Sequence, residues 1–116
     1  MTGKWKYKES YGLGEASGEM FLEQQGKLLS GKIIFTDKES GGASYMIQET
    51  LSGTLEGRKV KLDATEYDVI HAETSLHYEL DTWFGLLVDS STIIGLSMDA
   101  QGMEGYFVFE KVPEDK

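Results

Sequence analysis

The sequence predicts an all-β protein in which eight antiparallel strands form an up-and-down meander and close into a barrel. Short segments alternate apolar and polar residues with a period of two, as half-buried strands do. Glycine, aspartate and serine separate these segments, and 14 glycines against one proline suit many tight turns. No apolar stripe with helical spacing is present. The 116 residues fit a single barrel domain that spans 1–116.

The alternation places the strands in order along the chain. In the first strand, Trp5 and Tyr7 alternate with lysines. We predict strands at 4–9, 19–24, 28–36, 45–51, 59–64, about 76–88, 92–98 and 105–111. Segment 11–18 is predicted to be a glycine-rich loop that covers the barrel as a lid. Segment 67–74 is compatible with a strand, a loop or one helical turn.

Charged residues on the predicted outer faces indicate that the last strand pairs with the first. If Trp5 and Tyr7 face the interior, the lysines of the first strand face water. These lysines would then lie between glutamates of the second and eighth strands, which is a favourable cross-strand arrangement. The lysines are Lys4, Lys6 and Lys8, and the glutamates are Glu19, Glu23, Glu104 and Glu110. Pairing of the first and last strands would also remove the exposed sheet edges.

Composition excludes several classes of function. The 20 acidic and 11 basic residues give a net charge of -9, which disfavours nucleic acid and anionic membranes and favours a neutral or cationic ligand. The absence of cysteine excludes disulfides, thiolate catalysis and cysteine-ligated zinc. No signal peptide or membrane span is visible, so we expect a cytoplasmic protein. An exported domain without its signal peptide would have the same pattern.

Short motifs at both ends of the chain resemble those of a known superfamily. Gly3-Lys4-Trp5 opens the first strand and Lys111 ends the last, and the 25–31 and 105–111 segments have a matching layout. The chain is therefore similar to the lipocalin and calycin superfamily, including small bacterial lipocalin-like and avidin-like barrels. The resemblance implies a ligand-binding barrel whose closed end is formed by Trp5. It also implies that Lys111, in place of the usual arginine, packs over Trp5 as a cation on a ring.

Aromatic side chains are the best candidates for a ligand pocket. Tyrosine and tryptophan combine apolar area with one hydrogen-bonding group, as small-molecule sites require. We predict that Tyr45, Tyr78, Trp83 and Tyr7 bind the ligand. The predicted function is non-catalytic binding of a small, mostly apolar or aromatic molecule in the barrel interior, with no cofactor.

A second hypothesis assigns the protein an interaction or structural role. Its barrel would be packed solid, and its function would lie on an outer face or at a homodimer surface. Apolar residues at positions predicted to face outward would form that surface, namely Phe21, Leu28 and Ile34.

A third hypothesis is a small barrel isomerase or hydratase. Its general base or acid would come from the predicted barrel mouth, at His71, Asp68 or Glu73. No spacing identifies a catalytic triad, so we favour a protein that is not an enzyme. Three residues that alternate in the sixth strand could ligate a divalent ion, but we interpret them as a solvated outer face. They are His77, Glu79 and Asp81.

Overall fold

The computed structural model is an all-β barrel, as predicted. It describes residues 1–12, 14–39, 44–72, 80–99, 102 and 104–113. The eight strands are β1 (Gly3–Tyr11), β2 (Gly14–Gln25), β3 (Leu28–Glu39), β4 (Ser44–Glu56), β5 (Lys59–Ala72), β6 (Asp81–Asp89), β7 (Thr92–Asp99) and β8 (Glu104–Lys111). No helix within this described part is long and apolar enough to cross a membrane.

The strands close into a barrel in sequence order. Each strand pairs antiparallel with the next, and β8 returns to pair with β1. In the β1–β8 register, Trp5 lies opposite Lys111 and Tyr7 lies opposite Phe109. The predicted meander and its closure are therefore confirmed.

The predicted charge arrangement is present in part on the outer face of β1, because Glu19 and Glu110 lie beside the lysines whereas Glu23 and Glu104 lie outside the stretch paired with Lys4 to Lys8. Lys6 lies opposite Glu19 of β2 on one side and opposite Glu110 of β8 on the other. The Lys4 Nζ atom lies 2.9 Å from a carboxylate oxygen of Glu19. Both of these side chains are about half exposed, so this ion pair adds little stability, on the order of 0–1 kcal/mol.

The core of the barrel is formed by alternate residues from all eight strands. Tyr7 stands at its centre, with its ring centroid 5.6 Å from that of Phe35 and 5.3 Å from that of Phe109. Such ring pairs stabilise a core beyond the area they bury. The buried apolar residues are Trp5, Tyr7, Ala16, Met20, Leu22, Leu29, Ile33, Phe35, Ile47, Leu51, Val60, Leu62, Ala64, Trp83, Ile93, Phe107 and Phe109.

The prediction of a glycine-rich lid over 11–18 was wrong. Strand β1 continues to Tyr11 and β2 begins at Gly14, so most of this segment is paired sheet. Gly18 marks a close approach between strands, because a Cβ there would lie 1.9 Å from the backbone oxygen of Ile34. Glycine in this segment therefore serves strand packing, and only Gly12, with a φ of 41°, lies in the turn.

The strands on either side of the β5–β6 connection also differ from the prediction. Strand β5 runs to Ala72, so the first part of the ambiguous 67–74 segment is strand. Strand β6 begins at Asp81, and residues 76–79 of the predicted sixth strand lie outside the described residues. The described pairing of β5 with β6 covers only Lys59 to Asp63.

Candidate ligand-binding site

The interior changes in character along the barrel. The inward side chains of β1 are Trp5, Tyr7, Glu9 and Tyr11, in that order. We call the two ends of the barrel the Trp5 end and the Tyr11 end. Inward residues near the Trp5 end are mainly apolar, and those near the Tyr11 end include carboxylates and phenols. Another buried carboxylate, Glu49, lies on β4 opposite Ile33 of β3. The Tyr11 end is thus the part of the interior with groups for polar recognition.

Glu9 is the centre of a buried hydrogen-bond network. The Tyr7 hydroxyl donates to Oε1 of Glu9 at 2.7 Å, and the Trp83 indole N–H donates to the same oxygen at 3.1 Å. The Ser97 hydroxyl also donates to the Glu9 carboxylate. Strands β1, β6 and β7 therefore contribute one donor each. These bonds offset part of the cost of burying a carboxylate that is only 9% exposed.

Burial shifts the ionisation of this network. It raises the pKa of Glu9 above the ordinary 4.5, and the negative charge of Asp81 raises it further, while the hydrogen bonds from Tyr7, Ser97 and Trp83 oppose the rise. Burial, followed by the nearby charge of Glu9, also raises the pKa of Tyr7 well above 10.0. The Tyr7 hydroxyl therefore stays protonated and remains a hydrogen-bond donor, whereas Glu9 is the group of this pair that changes ionisation.

Gly105 leaves room for the Glu9 network. A Cβ at this position would lie 2.9 Å from the Ser97 Oγ and 3.0 Å from both the Glu9 Oε2 and the Tyr11 Cβ. All three contacts are shorter than nearly all real Cβ contacts in folded proteins. Gly105 is buried on the inward side of β8, and its lack of a side chain accommodates the buried carboxylate.

A second carboxylate, Asp37, lies in the same layer of the interior. It is 6% exposed and accepts hydrogen bonds from the Tyr11 hydroxyl and, at 3.0 Å, from the Tyr45 hydroxyl. In the sheet register Ala16 lies opposite Glu9 on one side and opposite Asp37 on the other. The small side chain of Ala16 therefore separates the two carboxylates.

The predicted ligand-binding residues occupy three different positions. Tyr7 and Trp83 face the interior, with ring centroids 6.2 Å apart, and both direct their polar groups to Glu9. Tyr45 is half-buried at the Tyr11 end and is bonded to Asp37. Tyr78 lies outside the described residues.

Sequence analysis missed the buried carboxylates, which are Glu9, Asp37 and also Glu49, the last fully buried on β4. The two-residue alternation that places Trp5 and Tyr7 inward continues to Glu9, and the alternation of Ile33 and Phe35 continues to Asp37. The signal was therefore present, but a charged residue at the end of an alternation is usually assigned to solvent.

The described residues of the catalytic and metal hypotheses, His71, Asp68 and Asp81, do not form a common site. His71 and Asp68 are exposed on the outer face of β5, away from the interior. Asp81 was predicted on an outer face but lies on the inward side with Trp83, where its charge acts on Glu9. Glu73, His77 and Glu79 lie outside the described residues. Among the residues that are described, no group of three or more potential ligands could hold a metal ion.

The predicted pair at the Trp5 end consists of cross-strand neighbours. Trp5 is fully buried, and its indole N–H donates to the Met1 carbonyl oxygen at 2.9 Å. Lys111 lies opposite Trp5, and its Cε would be 3.2 Å from a Cβ on Gly3. The aliphatic part of Lys111 therefore lies beside Gly3, and its cation–ring contact with Trp5 stays a prediction.

The chain is similar in fold to small designed β-barrels of known structure. A redesigned barrel, mFAP1, bound to DFHBI, has a TM-score of 0.67 and 11% identity, with 95% of this chain and 94% of that chain covered. A second redesigned barrel, mFAP0, also bound to DFHBI, has a TM-score of 0.65 and 12% identity over 95% and 97% of the two chains. A de novo designed fluorescence-activating barrel has a TM-score of 0.57 and 11% identity over 97% and 94% of the two chains.

These likenesses support the fold alone, because identities of 11–12% are too low to indicate a shared function. No protein-family model matches the chain, and no curated protein sequence matches it. The chain is thus an eight-stranded closed barrel, similar in fold to designed barrels that were solved with a small molecule bound.

Proposed function

We propose that this protein binds a small, mostly apolar molecule inside the barrel at the Tyr11 end, without catalysing a reaction on it. The observation that carries the proposal is the pair of buried carboxylates, Glu9 and Asp37, on either side of Ala16. The proposal includes membership of the lipocalin-like barrels, which Gly3-Lys4-Trp5 and Lys111 suggest.

Buried carboxylates destabilise a fold, so a role other than packing is needed to explain why they are there. Removing a carboxylate from water costs several kcal/mol, and well-packed apolar side chains at the same positions are often equally or more stabilising. A barrel with an interior used only for packing would gain from apolar residues at positions 9 and 37. The presence of carboxylates there, together with the tyrosines around them, supports a recognition role.

The chemistry of these groups restricts the ligand. Carboxylates only accept hydrogen bonds, and the donors of Tyr7 and Trp83 are already directed to Glu9. A fitting ligand has an apolar or aromatic body that packs against the rings and at least one donor group that reaches a carboxylate. A neutral or cationic molecule fits better than an anion. The designed barrels that bind DFHBI are a precedent for ligand binding in a barrel of this fold.

The test is binding to the purified full chain. Native mass spectrometry detects any molecule retained from the expression host, and fluorescence titration measures the affinity for DFHBI and for other apolar probes. Ala16→Leu places a larger side chain between the carboxylates and should weaken binding at least about 10-fold, a loss of about 1.4 kcal/mol. Ser17→Leu adds the same side chain on the exposed outer face of β2 and should leave the affinity unchanged.

A second variant is available in case Ala16→Leu does not fold. If Ala16→Leu does not give a wild-type circular dichroism spectrum, Tyr45→Phe replaces it, since this change removes only one hydroxyl. Tyr106→Phe on the exposed face of β8 is its control. Equal affinities for a variant and its control would contradict the proposal, as would the absence of any bound molecule or probe at concentrations up to about 1 mM.

A further inference from the structure

The outer face formed by β6, β7 and β8 is apolar, which is unusual for this acidic protein. In the sheet register, Phe84 lies opposite Leu96, which in turn lies opposite Tyr106, and Leu86 lies opposite Ile94. These side chains are neighbours and form one continuous surface. The apolar outer face comprises Phe84, Leu86, Val88, Ile94, Leu96, Met98 and Tyr106.

The exposed area of this face is that of a protein interface. Its seven side chains are between 42% and 74% exposed. A half-exposed side chain of this size presents on the order of 100 Å², so the face presents roughly 700 Å² of apolar surface. That is larger than the usual patch of a monomer and close to the roughly 800 Å² that each partner buries in a standard interface.

The face is also shaped and charged to receive a partner. A groove of about 1000 Å³ runs along it, lined by Phe84, Leu96 and Tyr106 among others. The β4–β5 side of the groove presents Lys59 and Lys61 together with Glu56, and the β8 side presents Glu104. Lys61 also lies 3.8 Å from a carboxylate oxygen of Asp63. The lysines of one border are therefore available to pair with Glu104 at the other.

We propose that a second copy of this chain covers the apolar outer face in a two-fold symmetric dimer. A two-fold axis that lies in the interface and runs parallel to the strands sets β5 of one copy opposite β8 of the other. Lys59 and Lys61 of each copy then face the side of the partner that carries Glu104. The two sheets pack face to face, as the layers of a β-sandwich do.

This surface differs from the one expected from the sequence. Phe21 and Leu28 are exposed, at 46% and 64%, and Ile34 is half-buried. Phe21, however, lies within a charged surface, opposite Lys4 of β1 on one side and Lys32 of β3 on the other. A charge introduced on the apolar outer face should therefore disrupt dimerisation, whereas a charge introduced at Phe21 should not.

Sedimentation velocity of the full chain over a range of concentrations tests the proposal. The wild type is expected to sediment as a dimer of twice 12.9 kDa. Leu96→Glu places a charge at the centre of the apolar outer face and should weaken dimerisation at least about 100-fold. Phe21→Glu, the matched control, should remain dimeric, and circular dichroism verifies that both variants are folded.

Any one of the following results would overturn the proposal. One is a wild type that stays monomeric up to about 1 mM. Another is a folded Leu96→Glu variant that dimerises as the wild type does, and a third is dissociation by Phe21→Glu alone. If Leu96→Glu does not fold, Ile94→Lys replaces it. A monomer that binds lipid vesicles through this face would assign the surface to a membrane and would equally refute the dimer.

Discussion

The two ends of the barrel obey the same two-residue alternation but use it for different chemistry. At the Trp5 end the inward side chains are large and apolar, and Trp5 itself is fully buried. At the Tyr11 end they include Glu9 and Asp37, each held by hydrogen bonds from aromatic side chains. The comparison teaches that an inward position fixes only burial. The residue placed there decides whether that part of the interior stabilises the fold or can recognise a ligand.

The largest expected effect is on the stability of the Trp5 end. Trp5→Ala removes a fully buried ring and its hydrogen bond to Met1, and it should lower the free energy of unfolding by about 3–5 kcal/mol. Tyr11→Ala removes a half-buried ring at the other end and should cost less, about 1–2 kcal/mol. Urea denaturation of both variants measures the difference. Equal losses would show that the two ends contribute alike to stability.

Gly105→Ala is expected to have the next largest effect. The added methyl group would meet Ser97, Glu9 and Tyr11 at distances of about 3 Å, so we expect a loss of about 1–3 kcal/mol. In the Ser97→Gly background one of these contacts is absent, and the added cost of Gly105→Ala should be smaller. A double-mutant cycle in urea measures this coupling. A cost that is the same in both backgrounds would place the strain elsewhere.

The pH dependence of stability should report on Glu9. Because burial raises its pKa in the folded state, the folded protein binds more protons than the unfolded chain between pH 4.5 and that raised pKa. The contribution of Glu9 is therefore fully present below pH 4.5 and is lost as the pH rises through the folded pKa. Glu9→Gln should flatten this part of the profile. Urea midpoints from about pH 4 to about pH 8 for both proteins test it, and parallel profiles would contradict the assignment.

The smallest stability effect is expected for Tyr45→Phe. Loss of the hydroxyl removes one of the two hydrogen bonds that Asp37 accepts from tyrosines, which should cost about 1 kcal/mol or less. If the Tyr11 end binds the ligand, the same substitution should weaken binding several-fold. Thermal unfolding and ligand titration of one preparation separate the two effects. A loss of stability above about 3 kcal/mol would make Tyr45 a structural residue instead.

The fold could be predicted because it depends on repeated local signals. Alternation along eight segments predicted the strands. The glutamates expected beside Lys4, Lys6 and Lys8 predicted the closure of β8 on β1. Glycine was the ambiguous signal, because it occurs both in turns and inside strands. Gly18 lies inside a strand where β3 approaches closely, and this approach cannot be read from the neighbouring residues in the sequence.

The candidate site could be predicted only in part. Tyr7, Trp83 and Tyr45 were identified because aromatic residues with a polar group are typical of pockets. Their partners Glu9 and Asp37 were not, since a carboxylate is normally placed in solvent unless its donors are known. Those donors lie up to 74 residues away along the chain, as Trp83 does from Glu9, so only the closed barrel shows the network.

The tryptophan indole N–H resonances test the central claim most directly. The chain has two tryptophans, and each reports on one end: Trp5 bonds to Met1 and Trp83 bonds to Glu9. Proton–nitrogen spectra recorded while a bound probe is titrated should show the Trp83 indole signal moving while the Trp5 signal stays in place. A probe that binds and shifts only Trp5, or neither tryptophan, would contradict a ligand site at the Tyr11 end.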